Sequence, residues 1–350
     1  MSTFEEEFEE SIDVPYKSII ATLCKCDTGH AAITAEQILH HYESMALSGA
    51  KHFDLSTKET YNNLITSWVN SDQSSYPRGY SPNYQHSRNP PANILYEMLA
   101  NYKQNPQCLS RLRPDRISFN KAIFSLSNHH KMEQPTASYQ YLNKVRELAF
   151  YFLKSMIESY REGNDDCCPD MITFSTVLNM LGQGDDGDRA IEVLDEMLGL
   201  YKHNVTPSTY HFNVVLGLMA NQNRVDHSTL NKAKEYLAKM EELTKHGEQI
   251  EVPDQNYTEG SSFYMPKQAN VSSIVTSKPD IVTYNSLIKI ASNAGMPEAA
   301  QAILNDLIDR SIAGDVSVKP DVISFNTVRI LSFKKPIITF AHKLASRFRY

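Results

Sequence analysis

The sequence is short of the features that mark secreted, membrane-bound or disulfide-bonded proteins. Its 350 residues include five cysteines, and no run approaches the roughly 20 apolar residues that span a bilayer. The acidic N-terminus has neither the apolar core of a secretory signal nor the arginine-rich character of an organellar transit peptide. Because the cysteines are odd in number and lack zinc-site spacing, we expect free thiols and no bound metal. No membrane partner is expected either.

Catalytic and cofactor motifs are equally scarce. The sequence contains no Walker loop, nucleophile elbow or kinase signature. The stretch GQGDDG at 182–187 fits a dinucleotide-binding pattern, but a helical pattern rather than a strand precedes it, and its aspartates would repel a pyrophosphate. We interpret this stretch as a turn between two helices. The sequence therefore predicts neither enzyme activity nor a cofactor.

Positive charge is too sparse to identify a nucleic-acid partner by itself. The formal net charge is −7, and the segment 1–13 holds six acidic residues and no basic one. The rest of the chain is therefore nearly neutral, while the segment 332–350 is basic. Since the helical pattern breaks there at Pro336, we interpret that segment either as a basic cap or as the end of a truncated chain.

One short motif, by contrast, recurs along the whole chain. The copies follow all or most of one pattern: Pro-Asp, two residues, Ser or Thr, an aromatic residue, usually Asn, and then an apolar run. They lie at 57–68, 113–126, 168–181, 206–219, 278–291 and 319–331, with a weaker copy at 11–24. A unit of this length that returns several times is typical of a repeat architecture.

Each copy is predicted to open a helical hairpin. Tyr284, Leu287 and Ile288 fall at i, i+3 and i+4, which places them on one face of a helix. The Pro-Asp pair supplies a helix start, because proline ends the previous element and the acid favours the N-terminal end of the helix dipole. A second amphipathic segment follows each copy, and we predict Asp188 and Ser228 as the N-caps of two such segments.

A single hairpin of this size cannot bury its own apolar faces, so the copies are expected to stack. The predicted fold is an all-α solenoid of helix-turn-helix repeats over residues 14–331. The units start near residues 13, 58, 116, 171, 209, 281 and 322. Polar stretches at 70–90 and 245–277 are predicted to be long insertions.

The stretch KPDIVTYNSLIKIASNAGMPEAAQAILNDLIDRS at 278–311 resembles the pentatricopeptide repeat, a helical-hairpin repeat of plant and organellar proteins. Spaced copies extend the resemblance over roughly 14–331. The related tetratricopeptide repeat fits less well, because it lacks the Pro-Asp-x-x-Thr-Tyr-Asn opening. The resemblance implies a right-handed solenoid that binds single-stranded RNA, with about one base for each repeat.

The resemblance also implies which side chains meet the base. It pairs the residue after the aromatic with the last residue of the same repeat, which is usually Asp. The implied set is Asn62 with Asp115, Asn120 with Asp170, Ser175 with Ser208, Asn213 with Asp280, Asn285 with Asp321, and Asn326 alone. The residue two before the aromatic would flank the base, and this set is Ile117, Ile172, Tyr210, Val282 and Ile323. The second unit has Glu59 at that place, an acid that RNA would repel.

The resemblance implies a preference for pyrimidines, uracil first, because an Asn amide matches the O4 and N3–H of uracil. It further implies a mitochondrial or plastid location and other RNA-processing proteins as partners. Two alternatives stay open. The same surface of a solenoid could bind a peptide, or the chain could be the repeat region of a protein-only ribonuclease P without its catalytic domain. The asparagines could also serve only as caps between repeats.

Overall fold

The computed structural model describes residues 16–26, 28–47, 57–71, 89–104, 113–133, 138–200, 205–246 and 277–332. Within these ranges all regular secondary structure is helical, which confirms the all-α class predicted from the sequence. The segment 1–13, residues 333–350 and most of both predicted insertions lie outside the described residues. The chain divides into two compact units, Met1–Met180 and Leu181–Tyr350.

The first unit is a succession of helical hairpins. Its helices are α1 (Tyr16–Leu23), α2 (Gly29–Leu47), α3 (Lys58–Asn70), α4 (Pro90–Gln104), α5 (Arg116–Glu133) and α6 (Tyr139–Arg161). Helices α1 and α2, α3 and α4, and α5 and α6 pack in pairs, and the first helices α1, α3 and α5 also pack in sequence order. Helix α7 (Met171–Gly182) begins in this unit.

The second unit has the same organisation. Its helices are α8 (Gly187–Gly199), α9 (Thr209–Asn221), α10 (His227–His246), α11 (Ile281–Asn293), α12 (Pro297–Ile312) and α13 (Val322–Ser332). Helices α9 and α10, and α11 and α12, pack in pairs, and the first helices α9, α11 and α13 pack in sequence order. No helix within the described ranges combines the length and apolarity needed to cross a bilayer.

The repeated motif forms the start of each first helix. At α11, the Asp280 carboxylate accepts a hydrogen bond from the backbone N–H of Thr283 at 2.9 Å, and Oγ1 of Thr283 accepts one from the backbone N–H of Asp280 at 3.1 Å. This reciprocal capping box satisfies N–H groups that the first turn of a helix leaves without partners.

The division of the chain into seven repeat units remains a prediction.

The aromatic residue of the motif anchors the first helix in the core. The following four have no exposed surface: Phe119, Phe174, Phe212 and Tyr284. Burial of one such side chain contributes about 1.5–3 kcal/mol. Leu287 and Ile288 are also fully buried, which confirms the apolar face predicted for α11. The β-branched opening of the motif is therefore helical, because its apolar residues bury one face at helical spacing.

Two predicted N-caps are wrong, each by two residues. Helix α10 is capped by Asp226 rather than Ser228, since the Asp226 carboxylate accepts from the backbone N–H of Thr229 at 2.9 Å. Helix α8 has Asp186 at its N-cap position, and Asp188 lies in the first turn. The stretch 182–187 contains the turn between α7 and α8, as predicted, with the turn itself at 183–186. Helix α6 was not singled out from the sequence, because second helices share no common opening.

Candidate nucleic-acid interface

Four of the predicted asparagine–aspartate pairs are in contact. In each, Nδ2 of an asparagine on one first helix donates to the carboxylate that caps the next first helix. The separations are 3.2 Å for Asn62–Asp115, 3.1 Å for Asn120–Asp170, 3.0 Å for Asn213–Asp280 and 3.2 Å for Asn285–Asp321. Two of these pairs lie in the first unit and two in the second. Since a carboxylate only accepts hydrogen bonds, it must face the NH₂ end of the amide.

A hydroxyl that was not assigned a role from the sequence completes each pair. The Ser or Thr three residues after the aspartate donates to Oδ1 of the same asparagine. The distances are 2.6 Å from Ser118, 2.5 Å from Thr173, 2.7 Å from Thr283 and 2.7 Å from Ser324. The recurrence of Ser or Thr in the motif was the available signal. We call each set of asparagine, aspartate and hydroxyl residue a clamp.

The remaining pair, Ser175 with Ser208, cannot form this chemistry. Ser175, in the first unit, donates its hydroxyl to the backbone oxygen of Met171 at 2.6 Å. Ser208, in the second unit, caps α9, and its backbone nitrogen and hydroxyl lie 3.1 Å and 2.7 Å from Nδ1 of His211. Burial lowers the pKa of His211 to about 4, so the imidazole is neutral near pH 7. Neither serine supplies an amide or a carboxylate.

Asn326 lies on α13 with an exposed side chain. It follows the aromatic position of the last motif copy, as the other asparagines follow theirs. Any partner further along the chain would belong to residues outside the described ranges. The structure therefore places Asn326 on the surface and assigns it no clamp.

The predicted flanking side chains stand at the first turn of each first helix. Four are large apolar residues with unusual exposure: 51% for Ile117, 46% for Tyr210, 50% for Val282 and 62% for Ile323. Ile172 is half-buried, and Glu59 is exposed. Exposed apolar side chains beside clamped amides provide surfaces on which the flat face of a base can pack.

The electrostatics of the clamp formed by Asn285, Asp321 and Ser324 favour a neutral ligand edge. Burial opposes ionisation of Asp321, but hydrogen bonds from the Ser324 backbone N–H and from the Asn285 amide outweigh it and hold the pKa of the carboxyl below its ordinary value. The carboxylate is thus charged and already used by its own cluster. What each clamp presents outward is the rest of an uncharged amide.

Three lysines lie on the first helices near the clamps. Lys58 approaches Asp115 at 3.9 Å, the Lys121 ammonium donates to the hydroxyl of Thr66, and the Lys289 ammonium donates to Oδ1 of Asn221 at 2.6 Å. Burial lowers the pKa of Lys121. Lysines placed along the helices that carry the amides are suited to contact phosphates of a bound strand.

Two segments of the chain match the pentatricopeptide repeat family, each as a PPR repeat, at residues 165–198 and 282–312. The second match begins one residue after the start of α11 and ends at the last residue of α12. No curated protein sequence matches this chain.

Solved structures of the pentatricopeptide repeat protein PPR10 also align with the chain. One, of a cysteine-to-serine variant in complex with an 18-nt PSAJ RNA element, is 15% identical, covers 99% of this chain and 52% of that chain, and has a TM-score of 0.28. Another, of PPR10 from maize, is 17% identical over 95% of this chain and 53% of that chain, with a TM-score of 0.18. The chain spans about half the length of these structures.

Proposed function

We propose that this chain, a pentatricopeptide repeat protein by its two matched repeats, binds single-stranded RNA through its clamped asparagines, one base to each repeat. The observation that carries this proposal is the repetition of the clamp at four helix junctions. The hydrogen bonds inside a clamp use one N–H and one oxygen lone pair of the amide. One donor and one acceptor remain, which is what the edge of an unpaired base requires.

Uracil is the base that suits this amide best. Its O4 accepts the remaining N–H, and its N3–H donates to the remaining lone pair of Oδ1. The exposed side chains of Ile117, Tyr210, Val282 and Ile323 supply the apolar surface for the base faces. We therefore propose a preference for pyrimidines, with uracil favoured over cytosine.

The proposed cellular role follows the family. We propose that the chain stabilises, processes or helps to translate organellar transcripts, without a catalytic step or a cofactor of its own. One of the similar structures holds PPR10 in complex with an RNA element, and we extend that class of partner to this chain. Other RNA-processing proteins are proposed as further partners.

The experiment is a binding titration of the full chain with labelled short oligo(U), oligo(C) and oligo(A) at low and at moderate salt. We expect binding in the order U, C, A, and weaker binding as salt rises, because phosphate contacts release counterions. The protein should also be titrated as Asn285→Ser and as Asn305→Ser. Asn305 is an exposed asparagine on α12 of the same unit, so it is a matched control.

Asn285→Ser should bind oligo(U) more weakly, and Asn305→Ser should bind it as the wild-type chain does. If the wild-type chain ignores all three oligonucleotides at low salt, the RNA function is wrong and the peptide-binding alternative takes its place. If both variants weaken binding equally, the clamped amide is not the contact, because only Asn285 belongs to a clamp.

A further inference from the structure

Each clamp contains a buried hydroxyl that touches both of its partners. Ser118, Thr173, Thr283 and Ser324 are at most 1% exposed. Besides Oδ1 of the asparagine, each hydroxyl oxygen lies 2.8–3.0 Å from Oδ1 of the aspartate. The same hydroxyl accepts from the aspartate backbone N–H, for example at 3.1 Å in Thr283. It is therefore placed to influence the amide and not only the helix start.

The two ends of the amide are held by groups of different character. The carboxylate attracts the NH₂ end, as in Asn213, whose Nδ2 lies 3.0 Å and 3.2 Å from the two oxygens of Asp280. The hydroxyl of Thr283 donates its proton to the oxygen end at 2.7 Å. Rotating the amide by half a turn would bring its oxygen against the carboxylate and would lose this donated proton.

The orientation of the amide decides which pyrimidine it fits. Uracil presents an acceptor at position 4 and a donor at N3, whereas cytosine presents a donor at position 4 and an acceptor at N3. An amide held in one orientation matches uracil, and the same amide turned over matches cytosine. Any group that holds the orientation therefore sets the preference between the two bases.

We infer that the clamp hydroxyls, Ser118, Thr173, Thr283 and Ser324, are positioning residues that set the preference for uracil over cytosine. The inference rests on the proposed function, since it concerns the same amides. Each hydroxyl acts through its asparagine and does not itself meet the base. Its donated hydrogen bond keeps Oδ1 in the orientation that accepts from N3–H of uracil.

The start of α10 provides a matched control, because it has the capping box without the amide. Thr229 makes the same contacts to Asp226 that Thr283 makes to Asp280, with its backbone N–H at 2.9 Å and its hydroxyl at 3.1 Å from Oδ1. Within the described residues, no asparagine side chain donates to Asp226. Loss of the hydroxyl at Thr229 thus reports the cost to a helix cap alone.

The test compares three variants of the full chain, Thr283→Val, Thr283→Ser and Thr229→Val. Valine keeps the shape of threonine but lacks the hydroxyl. Serine keeps the hydroxyl and is the residue found at the same place in two other clamps, at Ser118 and Ser324. Affinities for short oligo(U) and oligo(C) are measured by fluorescence anisotropy, and thermal unfolding is followed by circular dichroism. Thr283→Val should lower the ratio of oligo(U) to oligo(C) affinity about fivefold, the effect of one neutral hydrogen bond.

Thr283→Ser and Thr229→Val should keep the wild-type ratio, while both valine variants lower the unfolding temperature. The inference is overturned if Thr283→Val keeps the ratio, or if it weakens both oligonucleotides equally, since that pattern reports damage to the cap. If the wild-type chain binds neither oligonucleotide, the proposed function itself is wrong. A wild-type chain that binds and prefers uracil, with an unchanged ratio in Thr283→Val, refutes only the role of the hydroxyl.

Discussion

Helices α10 and α11 begin with the same capping box and differ in what the cap reaches. Asp226 and Thr229 at α10 cap their own helix, where Asp226 is exposed and Thr229 is partly exposed. Asp280 and Thr283 at α11 cap their helix in the same way, but they also hold both ends of the Asn213 amide on α9. The Asp-x-x-Thr sequence is therefore a helix start in both places and a clamp in one.

The difference lies in the neighbouring helix and not in the cap. The Asn213 clamp forms because two first helices, α9 and α11, pack side by side and because the earlier helix carries an asparagine after its aromatic residue. Capping stabilises a helix by about 1 kcal/mol wherever it occurs. We attribute the proposed RNA recognition to this asparagine, whose amide the cap orders on the surface.

The largest effect should come from removing every clamped amide. In the variant with Asn62, Asn120, Asn213 and Asn285 all changed to Ala, affinity for oligo(U) should fall by roughly 800-fold, if each amide contributes about 1 kcal/mol. The measurement is an anisotropy titration at low salt. Unfolding temperatures of the variant and the wild-type chain show whether the helices persist.

The control for this variant removes four asparagines that lie outside the clamps. They are Asn63, Asn143, Asn231 and Asn305 on α3, α6, α10 and α12. Changing these four to Ala should leave oligo(U) affinity within about twofold of wild type. An equal loss in both quadruple variants would mean that amides in general, or overall charge and stability, govern binding.

The cap of α9 should make the stability of the protein depend on pH between pH 7 and pH 5, which the caps of α10 and α11 should not do. Burial lowers the pKa of His211 from 6.5 to about 4, so the unfolded chain takes up a proton in a range where the folded chain does not. The stability that neutral His211 contributes is complete above about pH 6.5 and is lost as the pH falls towards 4. The loss is at most roughly 3 kcal/mol.

Urea unfolding at pH 7 and pH 5 measures this effect. His211→Thr introduces the residue found at position 283 of α11, and it should remove most of the change between the two pH values. The assignment to His211 is wrong if the variant and the wild-type chain lose stability equally on acidification.

Replacing Asp280 tests what the carboxylate of a clamp contributes to the preference between bases. Asp280→Ser leaves α11 with a capping side chain, so the free energy of unfolding should change by less than about 1 kcal/mol. Nδ2 of Asn213 loses its acceptor, and the ratio of oligo(U) to oligo(C) affinity should fall about fivefold. Asp226→Ser at α10 is the matched change and should leave the ratio of affinities as it is. A similar fall in the ratio there would show that the effect of Asp280→Ser does not depend on the clamp.

The smallest effect should come from the exposed apolar flank of a clamp. Val282 is half exposed, so Val282→Ser should change stability by about 0.5 kcal/mol or less. Oligo(U) affinity should fall a few-fold, because a polar side chain packs less well on the face of a base. Val322, which is 73% exposed one position before its own flanking residue, offers the control Val322→Ser. Equal binding by both variants and wild type would show that the flank does not contact RNA.

The sequence predicted the start of the first helices better than the second helices or the caps. Pro-Asp followed by an aromatic residue at fixed spacing combines a stop, a cap and a core anchor, and these signals agree at the starts of α5, α7, α11 and α13. The caps of α8 and α10 were misplaced, because several polar residues precede each helix and the choice between them depends on loop geometry. The hydroxyl of Thr283 could be seen in the motif, but its contact with Asn213 joins residues that are 70 apart in sequence.

A selection of bound RNAs from a random-sequence pool tests the central claim most directly. In chain order the residues proposed to meet the bases are Asn62, Asn120, Ser175, Asn213 and Asn285, with clamps at all except Ser175. We predict that the enriched RNAs carry uracil at two neighbouring positions for the clamps of the first unit and at two neighbouring positions for those of the second unit. Enrichment of purines at those four positions, or no common motif among tightly bound RNAs, would contradict it.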